Sequence, residues 1–350
     1  MPARLVDIAR SLNLSISTVY AAIRDRADIS QATRKLVMAK ARELGYRPDS
    51  IARSLVNRQT QNIGIVVPDL ARSFFAEVVT GVEQQTSDAG YALLLCNTHE
   101  NPELEARAIN SLLSQRVAGL LIASSHRRGA RKVWRDLERQ GTPFVLIDRR
   151  FATTHFVGCD DRLVGRMATD HLLQQGYRRI AHITGTPNLP PTIGRIEGYK
   201  MSLERSRMRA YEELIIPAHF HEEASAISAM NKLLSLEHKP DAVFCASDSI
   251  AIGALQAALK SGCTVPQEIG IIGVGNHRYG EYVRVPLSTV DQKQTDIGEK
   301  AASLLLDLIR QRKDSGHRLI LIEPELVVRE SSRKSADNVA VRIDGYPSFA

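Results

Sequence analysis

The first feature of the chain is a series of apolar residues near its start that recur at helical spacing. They lie on either side of Asn13 and comprise Leu5, Ile8, Ala9, Leu12, Val19, Ala22 and Ile23. This spacing predicts two short amphipathic helices that are joined by a tight turn. Ser15 stands where its hydroxyl can accept a hydrogen bond from an unpaired backbone N–H at the start of the second helix. The pattern is that of a helix-turn-helix, although small helical domains of other kinds also contain such pairs.

The second helix has a face that the predicted core does not use. With Val19 and Ile23 inside, the exposed face carries Ile16, Ser17, Tyr20, Ala21 and Arg24. The N-terminal end of such a helix can enter the major groove of DNA. These residues are therefore the candidates for reading bases.

Two further helices are predicted after this pair. The third spans residues 31–44 and turns inward an apolar face formed by Leu36, Val37, Ala41 and Leu44. Ser30 can cap it, and Gly45 ends it in the position where a left-handed backbone is easiest for glycine. Asp49 or Ser50 can cap a fourth helix of about two turns, which is marginal in water without a partner. Such a segment is suited to fold only when DNA is bound.

From residue 62 onward, short apolar runs alternate with amphipathic stretches. Strands are predicted at residues 63–68, 91–97, 117–123 and 144–148, with helices at 74–89, 103–116 and 134–140. The alternation restarts with strands at 179–184, 242–246 and 270–274 and helices at 163–175, 195–204, 224–236 and 249–261. This pattern indicates two α/β halves with parallel sheets. A cleft between two such halves is the default position of a ligand site.

The positive charge of the chain is concentrated at its start. Residues 1–60 contain 11 Lys and Arg and 5 Asp and Glu; the whole chain has 46 and 39, which leaves 35 and 34 for the other 290 residues. Excess positive charge beside a helix-turn-helix suits contact with DNA phosphates.

Other classes of protein find little support in the sequence. The chain has neither a signal-peptide pattern nor an apolar run of the roughly 18 residues that a membrane span needs, so we expect a cytoplasmic protein without membrane contact. The four cysteines, Cys96, Cys159, Cys245 and Cys263, are far apart and favour neither disulfides nor a zinc site. A Walker A loop, a GxSxG elbow and a complete dinucleotide fingerprint are absent, so neither catalytic residues nor a cofactor is predicted.

Several motifs resemble the DNA-binding signature of the LacI/GalR family of bacterial transcription regulators. They are Val6-Asp7-Ile8-Ala9, Ser15-Ile16-Ser17-Thr18-Val19, Thr33-Arg34 and Leu44-Gly45-Tyr46-Arg47-Pro48, and Ala52-Arg53-Ser54-Leu55 is similar to the hinge helix of that family. The resemblance implies that Leu55 is an apolar wedge in a minor-groove step, which requires a two-fold partner and hence a homodimer. The implied DNA-binding residues are Ser15, Ile16, Ser17, Thr18, Tyr20, Ala21, Arg24, Thr33, Arg34, Tyr46, Ala52 and Leu55.

The chain departs from this family at the recognition helix. Family members usually have Ser-Arg where this chain has Tyr20-Ala21. Loss of the arginine removes a side chain suited to bidentate contact with guanine, worth about 1–3 kcal/mol of discrimination. We therefore expect a half-site that differs from the usual family pattern, unless Arg24, one turn further on, substitutes for the missing contact.

The resemblance continues through the rest of the chain, to about residue 332. Matching motifs occur at Asp69 with Phe74-Phe75, at 148–150, at 161–165 with His171-Leu172, and at 176–180, 195–199 and 324–331. It implies a fold like that of type I periplasmic sugar-binding proteins, with crossovers between the halves near residues 160, 290 and 322.

The expected domains follow from that implied fold. They are a three-helix headpiece at 1–47, a hinge helix and linker at 48–61, an effector-binding and dimerisation domain at 62–332, and a flexible tail at 333–350. The N-subdomain would comprise about 62–160 and 291–322, and the C-subdomain about 161–290 and 323–332.

The resemblance also implies a set of effector-binding residues. They are Asp69, Phe74, Phe75, Asp148, Arg195, Phe220, Ser247, Asp248 and Asn276. Carboxylates accept hydrogen bonds from hydroxyls, a guanidinium donates them, and an aromatic ring packs on the apolar face of a sugar. Two alternatives stay open: one of Phe74 and Phe75 belongs to the core, and Asp148 serves as a helix cap or in a surface ion pair.

The sequence leaves open whether the effector is neutral or anionic. After Gly273 the family often has an aromatic residue, then Asp, then Asp or Asn, whereas this chain has Val274-Gly275-Asn276. The missing carboxylate and the segment His126-Arg127-Arg128 make an anionic effector, a sugar acid or sugar phosphate, a hypothesis beside a neutral sugar. A solvated basic loop is an equally good interpretation of that segment. The sequence thus predicts a homodimeric repressor that binds operator DNA and responds to a carbohydrate-type effector.

Overall fold

The computed structural model describes residues 3–23, 26, 28–46, 60–125, 136–137, 139–150, 154–220, 223–311 and 316–334. The predicted hinge helix with Ala52 and Leu55, together with Arg24, residues 126–128 and most of the tail, lies outside the described residues. Residues 1–60 and 61–350 form two separate compact units.

The N-terminal unit contains three described helices, α1 (Leu5–Leu12), α2 (Ile16–Ile23) and α3 (Gln31–Glu43). Their shared core consists of Ile8, Ala9, Val19, Ala22, Val37 and Ala41. Ser15 caps α2 as predicted, since its Oγ accepts the backbone N–H of Thr18 at 3.0 Å. Gly45 follows α3 with φ +62°, in the left-handed region, as its predicted role requires.

The face that was predicted to be buried on α3 includes more residues than the structure buries. Val37 and Ala41 are buried, but Leu36 is 53% exposed and Leu44 is 38% exposed. Helices α1 and α2 can cover only a narrow strip of the surface of α3, and the two smaller residues, Val37 and Ala41, lie in that strip. The two leucines remain on the surface.

The second unit contains two six-stranded sheets. The first has the order β11-β5-β4-β3-β1-β2 and the second β12-β10-β9-β8-β6-β7. The first sheet is formed by β1 (Asn62–Val67), β2 (Ala92–Asn97), β3 (Gly119–Ile122), β4 (Phe144–Ile147), β5 (Phe156–Cys159) and β11 (Leu319–Ile322). The second is formed by β6 (Ile180–Thr184), β7 (Ile215–Pro217), β8 (Ala242–Cys245), β9 (Gly270–Val274), β10 (Ser288–Asp291) and β12 (Glu325–Val327). All neighbours are parallel except β10 and β12.

Seven described helices cover these sheets. They are α4 (Ser73–Asp88), α5 (Pro102–Ser114), α6 (Asp161–Gln174), α7 (Pro190–Arg205), α8 (Glu223–Leu234), α9 (Asp248–Lys260) and α10 (Gln294–Arg310). Helix α7 begins five residues before the predicted start, because proline is well tolerated in a first turn. The sequence pattern did not predict α10, which packs on α4 and on the first sheet.

The chain passes between the two sheets three times. It leaves the first sheet after β5, returns to it after β10 through α10, and leaves it again between β11 and β12. We call the part around the first sheet the N half and the part around the second sheet the C half. Each half therefore contains segments that are distant in sequence.

Each half contains a helix pair that packs especially closely, α4 with α10 in the N half and α6 with α7 in the C half. A Cβ atom at Gly298 would lie 2.1 Å from the Val78 carbonyl oxygen, and one at Gly198 would lie 2.1 Å from the Arg162 carbonyl oxygen. Glycine at these positions permits the close approach of the two helices. The two halves are thus built alike in sheet order and in helix packing.

Candidate functional site

The exposed start of α2 is the candidate DNA-reading surface of the N-terminal unit. Ile16 is 51% exposed and Tyr20 37% exposed, and Ser15 and Ser17 are also on the surface. The Ser15 hydroxyl lies 2.7 Å from those of Ser17 and Thr18. This end of the helix presents hydroxyls and one aromatic ring, which suit contact with phosphates and base edges.

One residue of the predicted exposed face is buried. Ala21 is 7% exposed, so the expectation that it faces outward is wrong. A single methyl group presents little surface and is easily covered, and the backbone carbonyl of Ala21 accepts a hydrogen bond from the N–H of Arg26 at 3.2 Å. Arg24 lies outside the described residues.

The other predicted DNA contacts lie at the two ends of α3. The N–H of Thr33 donates to Ser30 Oγ at 3.2 Å, and Arg34 Nη2 donates to the Arg26 carbonyl at 2.9 Å. Tyr46 lies just after the helix and packs against the core of the N-terminal unit.

In the second unit, the predicted effector residues lie at the carboxyl ends of the parallel strands. Asp69 and Asp148 follow β1 and β4 in the N half, whereas Phe220, Ser247 and Asn276 follow β7, β8 and β9 in the C half. The carboxyl ends of the strands are where open α/β sheets bind their ligands.

A network of charges lines the N-half side of this cleft. Arg149 is 1% exposed and donates from Nη1 and Nη2 to the two carboxylate oxygens of Glu100, at 2.8 and 2.7 Å. Its Nη1 also donates to the Ser124 carbonyl, and its Nε lies 3.6 Å from Asp148 Oδ2. Burial alone would lower the pKa of Arg149, but the hydrogen bonds and charge of Glu100 outweigh it and raise that pKa. The guanidinium stays charged and holds the carboxylates around it in place.

Arg72 connects this network to the C half. Its Nη2 lies 2.7 Å from Glu100 Oε1, and its guanidinium carbon lies 5.0 Å from the centroid of the Phe220 ring. Burial, and then the charge of Arg149, lower the pKa of Arg72 to about 10. The Phe220 ring itself lies against Gly185, where a Cβ atom would be 1.9 Å from Cζ.

On the C-half side, Arg195 is the main charged group. It is 4% exposed, pairs with Asp161 at 2.9 Å and donates to the Ala246 carbonyl. Burial raises the pKa of Asp161 to about 6, although Arg195 opposes this effect. Burial likewise raises the pKa of Asp148 against the opposing charges of Arg149 and Arg195.

Asp248 and Asn276 have their polar groups engaged within the C half. Asp248 is 1% exposed and accepts from the Thr289 hydroxyl at 2.6 Å and from the N–H of His277 at 2.8 Å. The side chain of Asn276 donates to Asp291 at 3.0 Å and accepts from Arg329 at 2.8 Å. Ser247 caps α9 through Ile250.

Two cavities lie in the cleft. The inner cavity has a volume of about 60 Å³, and the predicted residues that line it are Phe74, Phe75, Asp148, Arg195, Phe220 and Ser247. The outer cavity has a volume of about 370 Å³, and Asp69 and Phe220 are the predicted residues there. Neither Asp248 nor Asn276 lines these two cavities. Phe75 is also part of the core, whereas Phe74 is only partly buried.

Sequence reasoning missed several lining residues. Arg72 and Ser249 line both cavities, Gln292 and His277 the inner one, and Tyr279 the outer one. The position of Arg72 between Asp69 and Phe74 was a usable signal, since Asp69 and Arg72 lie in the loop that leads into α4 and Phe74 lies in the first turn of that helix. Nothing local marks His277, whose Nδ1 lies 3.4 Å from Glu77 across the cleft.

The described residues contain no group of three or more potential metal-binding side chains, and no helix among them is long and apolar enough to cross a membrane. The polar groups of the cleft are hydrogen-bond donors and acceptors that are held by one another or by the walls of the cleft.

Comparisons with known proteins identify the family of the chain. Residues 4–49 match the family described as "Bacterial regulatory proteins, lacI family", and residues 169–332 match a periplasmic binding protein-like domain. The HTH-type transcriptional repressor PurR of Actinobacillus pleuropneumoniae is 33% identical over 341 residues, which cover 95% of this chain and 98% of the relative.

Two solved structures are similar along nearly the whole chain. The transcriptional regulator CelR in complex with cellobiose is 29% identical, with a TM-score of 0.71 over 94% of this chain and 99% of the other. The lac repressor dimer bound to operator and the anti-inducer ONPF has a TM-score of 0.86 over 95% and 100%, and at 22% identity it supports the fold alone. The fold is thus a helix-turn-helix unit followed by a two-part α/β domain of the periplasmic-binding-protein type. The chain is not an enzyme; it belongs to the lacI family of bacterial regulatory proteins and is a DNA-binding transcription regulator of the repressor type.

Proposed function

We propose that this repressor responds to a small carbohydrate-type effector, a sugar, sugar acid or sugar phosphate, that binds in the cleft between the N and C halves. The observation that carries the proposal is that both halves line one inner cavity. Phe74 and Asp148 come from the N half, and Arg195 and Phe220 from the C half. A ligand in contact with both walls stabilises one relative position of the halves over another.

The chemistry of these walls suits a polyhydroxylated molecule. Asp148 can accept hydrogen bonds from hydroxyls, Arg195 can donate them, and the Phe220 ring can pack on the apolar face of a sugar ring. The CelR complex supports this class of ligand, because its structure contains cellobiose in a protein of similar fold.

The charges of the described residues favour a neutral sugar over an anionic one. Arg72 and Arg149 both pair with Glu100, and Arg195 pairs with Asp161. Each described guanidinium at the inner cavity therefore already has a carboxylate beside it. Residues 126–128, on which the anionic alternative depends, lie outside the described residues.

In the proposed mechanism two chains act as a homodimer in the bacterial cytoplasm. The start of each α2 reads a half-site in the major groove, and the hinge residues 48–61, with Leu55 as the wedge, enter the minor groove between the half-sites. Effector binding changes the angle between the halves and thereby the spacing of the hinges. A coupling of this kind is typically worth about 1–3 kcal/mol, and release of repression by the effector is the direction that we favour.

The test begins with selection of an operator from a random pool of duplexes by the full chain. Its affinity is then measured by fluorescence anisotropy with a panel of neutral sugars, sugar acids, sugar phosphates and nucleobases. We expect one carbohydrate to change operator affinity about 5- to 150-fold. A shift caused only by a nucleobase would overturn the effector class, and the absence of any shift would overturn the proposed response. Recovery of the usual family operator would contradict the expected altered half-site.

A further inference from the structure

We infer that the outer cavity is a second subsite, which takes the second ring of a two-ring effector such as a disaccharide. This inference rests on the proposed function, because it places the first ring against the residues that line the inner cavity. Its starting point is that Arg72, Phe220 and Ser249 line both cavities. The two spaces therefore adjoin and share one wall.

The outer cavity is much larger than the inner cavity. The inner cavity holds about 60 Å³, whereas the outer holds about 370 Å³. Small-molecule sites in proteins usually measure about 300–1,000 Å³. Of the two, only the outer cavity reaches that size, and an effector that used only the inner residues would leave it unfilled.

The lining of the outer cavity has the character of a sugar subsite. Its polar side chains come from both halves, with Asp69 and Arg72 on one side and His219, Glu223, Ser249 and Tyr279 on the other. The Ser249 and Tyr279 hydroxyls lie 3.2 Å apart. Phe220, Ile250 and Ile252 add apolar surface to the same space. Hydroxyl, carboxylate and cationic groups beside an aromatic ring can bind both the hydroxyls and the apolar face of a sugar ring.

The charges at the outer cavity favour a neutral ring. Asp69 and Glu223 both line it and would repel an anionic group. Two helices begin here, and the positive end of each is already matched, by Glu223 in the first turn of α8 and by Asp248 in that of α9. The remaining cation, Arg72, has Glu100 as its partner.

Arg72 and Phe220 form the boundary between the two subsites. The guanidinium carbon of Arg72 lies 5.0 Å from the centroid of the Phe220 ring. One residue belongs to the N half and the other to the C half, so an effector that extends past this pair from one cavity to the other would touch both halves at once. A two-ring effector would thus gain affinity over one ring and also hold the halves together at this boundary.

The decisive variant fills the outer cavity without touching the inner residues. Ile252 lines only the outer cavity of the two, and Ile252→Trp would occupy the space of the second ring. Ile193→Trp is the matched control, because Ile193 is 46% exposed on α7 and lines neither cavity. Tyr279→Phe is a milder variant that removes one hydroxyl and keeps the shape of the ring.

Calorimetry of the full chain would compare cellobiose, maltose, lactose, melibiose, trehalose and sucrose with glucose, galactose and fructose. We expect at least one disaccharide to bind tenfold or more tightly than its component monosaccharides. Ile252→Trp should weaken that disaccharide at least tenfold, Tyr279→Phe several-fold, and Ile193→Trp less than twofold, while monosaccharide affinity stays within twofold in all three variants.

The outcomes separate the inference from the proposed function. Monosaccharide binding without any advantage of a disaccharide would overturn the second subsite and leave the carbohydrate effector standing. Unchanged disaccharide affinity in both Ile252→Trp and Tyr279→Phe would overturn the assignment of the subsite to this cavity. If none of these sugars binds and a sugar acid or sugar phosphate shifts operator affinity, the second subsite fails alone. If only a nucleobase shifts operator affinity, both the subsite and the carbohydrate class fail.

Discussion

The two halves of the second unit hold equivalent residues in different ways. Strands β4 and β9 occupy the same place in their sheets, and each is followed by a residue with a left-handed backbone, Asp148 with φ +61° and Asn276 with φ +50°. Asp148 lines the inner cavity and lies beside Arg149, whereas Asn276 is bound to Asp291 and Arg329. The left-handed residue after the strand thus places a carboxylate in the cleft in the N half, whereas in the C half it hydrogen-bonds to neighbouring segments of the same half.

The difference extends to the surroundings of these residues. In the N half, the polar groups of the cleft are held by one another, through the network of Arg72, Glu100, Asp148 and Arg149. In the C half, Asp248 and Asn276 are tied to neighbouring strands and loops. Perturbation of the N-half network should therefore have the larger effect on stability, because it removes opposite charge from carboxylates that are buried or half-buried.

The largest effect is expected from Arg149→Leu. This change removes a buried guanidinium and leaves Glu100 and Asp148 without its charge, so we expect a loss of about 3–5 kcal/mol in the free energy of unfolding. Urea denaturation measures it. The matched control is Arg162→Leu, because Arg162 pairs with Glu197 on the surface with side chains 56% and 46% exposed. That variant should lose less than about 1 kcal/mol. Equal losses would show that the network is no more important than a surface pair.

The second effect is a pH dependence that arises from Asp161. Its pKa in the folded protein, about 6, lies above the ordinary value of 3.8, so the folded chain binds this proton more tightly than the unfolded chain does. The resulting contribution to stability is complete below about pH 4 and is lost as the pH rises to about 6, with a total of up to about 3 kcal/mol. Asp161→Asn removes the titrating group.

Urea denaturation at several pH values between 4 and 7 tests this point. The stability of the wild type relative to Asp161→Asn should fall as the pH rises from 4 to 6 and then level off. A constant difference would mean that Arg195 compensates fully for the burial of Asp161, and a difference that grows with pH would mean that Arg195 outweighs it.

The smallest effect is expected from Asn276→Ala in the C half. It removes hydrogen bonds to Asp291 and Arg329, each of which retains another partner, Lys293 and Glu281 respectively. We expect a loss of about 1–2 kcal/mol. A loss as large as that of Arg149→Leu, measured in the same urea series, would erase the proposed difference between the halves.

Local patterns in the sequence were sufficient for much of the fold. Helix spacing, the cap at Ser15 and the glycine at position 45 are properties of neighbouring residues, and the structure has them as predicted. The alternation of strands and helices likewise indicated two α/β halves. The exposed Leu36 and the buried Ala21 depend on which neighbour covers a helix, which no local pattern contains.

The contacts within the cleft were harder to predict from the sequence, because they also depend on residues that are distant in the chain. Arg149 and Glu100 are 49 residues apart, and His277 and Glu77 are 200 apart. Such pairs form only when the strand order brings distant loops to one edge. The resemblance to a family supplied Asp148, Arg195 and Phe220, but it could not reveal that Arg72 stands between two cavities.

In the proposed mechanism a ligand in the cleft controls binding to DNA. The most direct test is an anisotropy titration of the selected operator with the wild type, Phe220→Ala and the control Tyr211→Ala, each with and without the effector found in the panel. Tyr211 is 39% exposed in the same half and lines neither cavity. We expect equal operator affinity for all three chains without effector, and an effector-induced shift that is lost only in Phe220→Ala. A shift of full size in Phe220→Ala would contradict this mechanism.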